Sequence, residues 1–292
     1  MTLDRLSVAS GLDGASVPVT RKYTPAIVID SLSYSVAGLV VGAMVGLTGV
    51  GGGSLMTPIL MLAFGQSPLV AVGTDLVFSA STKIAATASF GYSRSIDWQI
   101  VRRLALGSVP GAGLVLLWLF MTRAAPPAGL NQLVTRCLAV MLIITAGGIL
   151  LQYPLQRLGL RVTAASLERV ERSPPAFTVA SGLALGIAVT LTSVGAGALG
   201  TVALLYLYPL RLAGSRLVAT DIAHALPITI IAGAGHGLLG HVNLAVLGYL
   251  LLGSVPGVLI ASRVSIRLPQ AVTRGLVAIS LAVVGERLLF GG

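Results

Sequence analysis

G-V-G-G-G-S, Gly49 to Ser54, breaks a strongly apolar run, and S-V-G-A-G-A, Ser193 to Ala198, breaks a second one. Each break is followed by a short apolar piece, Leu55 to Phe64 and Leu199 to Tyr208. At about 1.5 Å per residue such a piece covers about half of a 30 Å hydrocarbon core. It reads as a half-helix. Bare glycine backbone exposes N–H and C=O groups that lipid cannot satisfy, so it survives only where protein buries it or water reaches it. A pair of such breaks in matching halves is the pattern of a carrier with its site at the breaks.

Composition agrees with a membrane location. The 292 residues are 55% hydrophobic and only 10% charged, whereas a soluble domain carries about 25% charged residues. The net charge of +10 raises nucleic acid as a partner. However, the Lys and Arg residues are scattered beside apolar runs, with no basic arm or interleaved aromatics, and no nucleic-acid partner is expected. They suit loop anchoring at a bilayer. The single cysteine, Cys137, precludes an intramolecular disulfide or a thiolate cluster.

Residues 1–25 form a polar tail without the apolar core of a signal peptide. Residues 26–153 form a first transmembrane repeat: the apolar run to Thr48, the break, the half-helix, then Leu69 to Tyr92, Leu104 to Met121 and Leu133 to Gln152. A polar linker, 154–175, carries Arg157, Arg161, Arg169 and Arg172. Residues 176–292 repeat the scheme. At an offset of 144, Gly38, Gly42, Leu47, Thr48, Val50, Gly51, Gly53, Leu55 and Thr57 meet Gly182, Gly186, Leu191, Thr192, Val194, Gly195, Gly197, Leu199 and Thr201. After a two-residue slip, Thr74-Asp75 meets Thr220-Asp221, and L-G-S-V-P-G at Leu106–Gly111 recurs at Leu252–Gly257. Scattered leucine matches arise by chance; a six-residue identity in register marks a true repeat.

Equivalent loops swap charge. The loop with Arg94, Arg102 and Arg103 is basic, and its counterpart at His236–Asn243 has no Lys or Arg. Conversely, the Gln66 turn has none, while its counterpart carries Arg211 and Arg216. Under the positive-inside rule equivalent loops then lie on opposite faces. The expected fold is an all-α integral membrane protein of two inverted-topology repeats, each a glycine-broken half-helix pair plus about three spanning helices. It would sit in the inner (plasma) membrane, multi-pass, with the linker cytoplasmic and both termini outside. The tail's Arg5, Arg21 and Lys22 pull the other way, against Asp4 and Asp13.

The breaks suit an anion. A half-helix begins with N–H groups that have no intrahelical partner and with the positive end of the dipole, and glycine lets an anion approach them. The substrate-binding set is Thr48, Gly49, Gly51, Gly52, Gly53, Ser54, Thr192, Ser193, Gly195 and Gly197, with Lys83. Ser54 is read as the residue opening its half-helix and Pro58 as lying in the first turn, where proline is tolerated. Close glycine packing of crossing helices is the alternative. Lys83 would pair with an acid, attract the anion or snorkel to the interface.

Asp75, Asp221 and His224 form the coupling and gating set, since ionisable groups inside a membrane are costly and functional. The two aspartates are either a proton-coupling pair or acceptors for bonds from the broken segments. The acceptor role is favoured, because a carboxylate repels an anion. His224 would shuttle protons or simply pack and hydrogen-bond. His236 and His241 lack a third ligand, so no metal is expected, nor any cofactor. No G-x-S-G lies on a helix with a partnering histidine placed to activate it, and Ser54 suits a cap better than a nucleophile. An enzyme is not expected.

The run from Val45 to Pro58, with Gly46, Gly51 to Gly53 and Pro58, resembles the signature of the sulfite exporter TauE/SafE family of permeases. The duplicated half, Thr74-Asp75 and G-x-x-P-G at Gly107–Gly111 resemble it too, from about Ala37 onward. Ala196 departs from the pattern, which makes the two half-sites unequal. The resemblance implies a secondary transporter, an exporter in the first instance. Its cargo would be small sulfur-containing anions such as sulfite, thiosulfate, sulfoacetate or other organosulfonates. It also implies an ion gradient, with protons or another ion as coupling partner. The residues alone leave two further readings open: an anion channel, and a proton- or cation-coupled exchanger built on Asp75 and Asp221. Oligomeric state stays open.

Overall fold

A computed structural model describes residues 24–48, 53–90, 96–159, 175–195, 197–208, 211–212, 215–264 and 270–290. These residues form ten α-helices and no strand. The first five are α1 (Thr24–Thr48), α2 (Gly53–Leu62), α3 (Pro68–Phe90), α4 (Trp98–Thr122) and α5 (Leu130–Gly159). The second five are α6 (Pro175–Thr192), α7 (Ala198–Leu207), α8 (Ser215–Leu238), α9 (Leu244–Val264) and α10 (Gln270–Phe290). Among the described residues, five helices are long and apolar enough to span: α4, most of α5, α6, α8 and α9. α5 runs on through Pro154 to Gly159, beyond the Leu133–Gln152 segment that hydropathy marks.

Large apolar side chains face outward, and charged and polar ones are buried beside an apolar core. Leu106, Met121, Leu252 and Ile260 are exposed, whereas Thr74, Asp75, Lys83, Thr220, Asp221 and His224 are buried. Water would not sustain that arrangement; hydrocarbon does. This is a multi-pass membrane protein.

The second break is an interruption of helix, and the first falls between two described helices. α1 stops at Thr48 and α2 starts at Gly53; α6 stops at Thr192 and α7 starts at Ala198. After each break the chain doubles back. Tyr34, early in α1, stacks on Phe64, just past α2, at 4.1 Å between ring centroids. Their equivalents at an offset of 144 meet as well, the Thr178 and Tyr208 hydroxyls lying 2.7 Å apart.

The repeated glycines explain how the halves join. A Cβ at Gly38 or Gly42 would strike the α9 backbone at Leu250 or Ser254, and one at Gly182 or Gly186 would strike α4 at Leu104 or Ser108. From the other side, Gly253 and Gly257 meet the α1 backbone, and Gly107 and Gly111 meet that of α6. These are small-residue crossings at which two backbones touch. The L-G-S-V-P-G identity therefore reports helix packing: each copy crosses the re-entrant helix of the opposite half.

Loops gather at two ends. At one, Asp97 accepts Arg211 Nε at 2.6 Å and Arg216 at 3.2 Å, tying the α3–α4 loop to the region between α7 and α8. At the other, a cavity of about 560 Å³ is lined by Leu69, Leu119, Arg123, Leu130 and His241. The first end is the one rich in Arg.

Candidate functional site

The second break is a buried knot of main chain. Thr192, Ser193 and Val194 are almost wholly enclosed. Ser193 has φ +59°, Gly195 +115° and Gly197 +147°. The two glycines adopt a left-handed backbone that side-chain-bearing residues rarely take. Ser193 takes the left-handed region too, at a cost in backbone strain. Thr192 Oγ1 donates to the Ala188 carbonyl at 2.6 Å and accepts the Val194 N–H at 3.2 Å, so it caps the end of α6. Gly197 starts α7 without a side-chain cap.

Of the first break, Gly49, Gly51 and Gly52 lie outside the described residues. Thr48 is the last residue of α1 and Gly53 the first of α2. Ser54 is buried inside the first turn of α2. Because α2 opens at Gly53, Pro58 falls in the second turn, beyond the first-turn position read from the sequence. Having no N–H, it leaves the Ser54 carbonyl without an intrahelical donor.

The two aspartates hold the half-helices. Asp75 Oδ2 accepts the Thr57 N–H of α2 at 3.1 Å and the Thr57 hydroxyl, while Oδ1 accepts Ser79 Oγ at 3.3 Å. Equivalently, Asp221 Oδ2 lies 3.0 Å from Thr201 Oγ1 of α7. Asp75 thus accepts from the half-helix of its own half, and Asp221 touches the threonine at the equivalent position. Their threonine neighbours act across the halves: Thr74 Oγ1 accepts the Asn243 N–H at 3.0 Å and Thr220 Oγ1 the Asp97 N–H at 3.1 Å. Asn243 and Asp97 in turn cap α9 and α4 by accepting the N–H groups of Val246 and Ile100. In each Thr-Asp pair, the aspartate fixes the break of its own half and the threonine steadies the next helix of the other. Thr57 and Thr201 were visible in the sequence only as repeat matches. Their contact with the aspartates needed the hairpin to close.

Three contacts bring the halves to one point. Ser193, from the second break, lies beside the Asp75 carboxyl of the first half without closing a hydrogen bond to it. Lys83 is buried, and its charge acts on both Asp221 and Asp75. α3, which carries Asp75 and Lys83, packs along α8, which carries Asp221. His224 stands apart from this cluster: its Nε2 is 3.1 Å from Ser108 Oγ on α4. The position equivalent to His224 is Phe78, and there Ser254 Oγ, the counterpart of Ser108, is buried without a partner. His236 Nε2 donates to the Thr190 carbonyl at 3.0 Å, and its ring lies 5.4 Å from that of His241. Among the described residues no cluster of three metal-ligating side chains forms.

Broken helices turned inward around buried charge define a membrane transporter. The model of the family described as "Sulfite exporter TauE/SafE" matches residues 34–288, and the chain belongs to that family. It is 37% identical over 259 residues to the probable membrane transporter protein YjnA of Bacillus subtilis, covering 89% of this chain and all of YjnA. It is 24% identical over 253 residues to YdhB of the same organism, also a probable membrane transporter protein, covering 85% of this chain and 96% of that one. No solved structure matches the chain.

Proposed function

We propose that this protein is a secondary transporter of small sulfur-containing anions, sulfite, thiosulfate, sulfoacetate or other organosulfonates, and works as an exporter. The observation that carries this reading is the meeting of the two halves at Ser193, Asp75 and Lys83. A solute there touches both repeats, and rocking one against the other changes its access. In the second break Ser193, Val194 and Gly197 already donate their N–H groups within the chain, so a sulfonate, whose charge needs no general acid, would take over such main-chain donors as the site opens. Lys83 supplies attraction, with Asp75, Asp221 and His224 in coupling or gating.

The halves, 26–153 and 176–292, are inverted about the linker 154–175. Supporting this, α1 meets α9 in the same direction (38 with 250, 42 with 254), and α6 meets α4 likewise. The Arg-rich end would face the cytoplasm of the inner membrane and the 560 Å³ cavity the outside. Both termini then lie outside.

Thermal unfolding of purified protein against sulfite, thiosulfate and sulfoacetate, with malonate as the carboxylate counterpart, tests the site. A sulfur anion should raise the transition temperature with concentration, and Gly195→Val, strained at φ +115°, should lose that rise while still inserting. A rise with malonate alone, or an undiminished response in Gly195→Val, would contradict the site.

A further inference from the structure

We propose that Asp221 is the proton carrier of this protein, protonated when the site is closed, and that Asp75 stays ionised as an anchor. The proposal rests on the transporter reading and names its coupling ion. Thr201 has one hydroxyl hydrogen and two neighbours: the Gly197 carbonyl at 2.6 Å and Asp221 Oδ2 at 3.0 Å. A carbonyl can only accept, so that hydrogen belongs to the shorter contact. The Asp221 contact is then a hydrogen bond only if Oδ2 carries the proton and donates to Thr201. Asp221 Oδ1 is buried with no partner. That is a small penalty for the carbonyl oxygen of a neutral acid and a large one for a carboxylate.

Asp75 is different. A backbone N–H and two hydroxyls point at it, all donating, as an ionised carboxylate requires. The halves differ around the two acids: Ser79, which donates to Asp75, has Ala225 as its equivalent, and Gly200, where a Cβ would strike Asp221 Oδ1, has Met56. Around Asp221, α3 contributes Lys83, whose charge also acts on Asp75, and α8 itself carries His224, which is turned to Ser108 of α4. α7 contributes Gly200 and Thr201. Two acids and one ammonium are neutral together only with one proton, and the hydrogen bonds put it on Asp221.

When the site opens to water, the Oδ2–H bond breaks, the proton passes to solvent, and Lys83 neutralises the carboxylate left behind. An anion drawn to Lys83 competes for that counter-charge and so favours protonated Asp221. Anion and proton therefore bind together and move in the same direction, so an acid exterior opposes export, which then runs only down the anion's own gradient.

Two measurements on the full chain in lipid decide this. Infrared spectra at neutral pH should contain the C=O band of a buried protonated carboxyl that Asp221→Asn removes and Asp75→Asn leaves. In sodium-free proteoliposomes, an acid-outside gradient should drive uptake of labelled sulfoacetate. Asp221→Asn, which keeps the shape of the neutral acid, should retain exchange but lose about tenfold or more of the gradient-driven accumulation. A band that survives Asp221→Asn would overturn the proposal. So would undiminished accumulation by that variant, or a requirement for sodium. If sulfoacetate neither binds nor moves, the substrate reading fails, and the infrared band still decides the proton's place.

Discussion

Asp97 and Asn243 occupy equivalent positions, and both cap a helix, but only Asp97 carries charge. Burial favours protonation of Asp97. Hydrogen bonds from Arg211 and the Ile100 N–H, with the charges of Arg211 and Arg216, outweigh it and hold the carboxyl below the usual range. A lowered folded value stabilises above the ordinary carboxylate range, and the stabilisation fades as pH falls through the lowered value. Asp97→Asn keeps the cap, as Asn243 demonstrates, and loses only ion pairs to half-exposed arginines. It should destabilise by about 1 kcal/mol at neutral pH, with the difference from wild type closing in strong acid, as thermal unfolding across pH would record. At this scale the sequence was partly legible. Asp75, Asp221 and Lys83 stood out because charge inside a membrane is expensive. Ser193 against Asp75, and Thr201 against Asp221, were not, because those pairs form only when segments distant in the chain close on each other.

Among the elements, the glycines divide into two kinds that sequence spacing does not separate. Gly195 and Gly197 serve backbone conformation at a break, whereas Gly38, Gly42, Gly253 and Gly257 serve contact between helices. Gly253→Val should lower stability by about 3 kcal/mol or more, because its side chain would meet the Ser35 carbonyl of α1 rather than a movable side chain. Gly248→Ala, on the same helix with open space around it, should be neutral or slightly stabilising. Unfolding of both variants in detergent checks the contrast. The half-helices themselves were legible from length alone, since a ten-residue apolar piece cannot cross a bilayer. The opening of α2 at Gly53 and the reach of α5 to Gly159 were not, because helix ends depend on caps and neighbours as much as on hydropathy.

For the whole molecule, inversion of the repeats was read from loop charge and stays a proposal; Arg123 and His241 line one cavity, and Asp97 pairs with Arg211 elsewhere. Replacing Cys137 with Ser and introducing Gln132→Cys or Gln99→Cys makes this testable, since both positions are exposed. A membrane-impermeant thiol reagent should label position 132 in intact cells and position 99 only in inside-out vesicles. The account as a whole claims a carrier whose anion sits between two broken hairpins. Counterflow of labelled sulfoacetate in proteoliposomes loaded with unlabelled sulfoacetate tests this most directly. Wild type should transiently accumulate label and Gly195→Val should not; simple equilibration of label, or equal accumulation by both proteins, would contradict it.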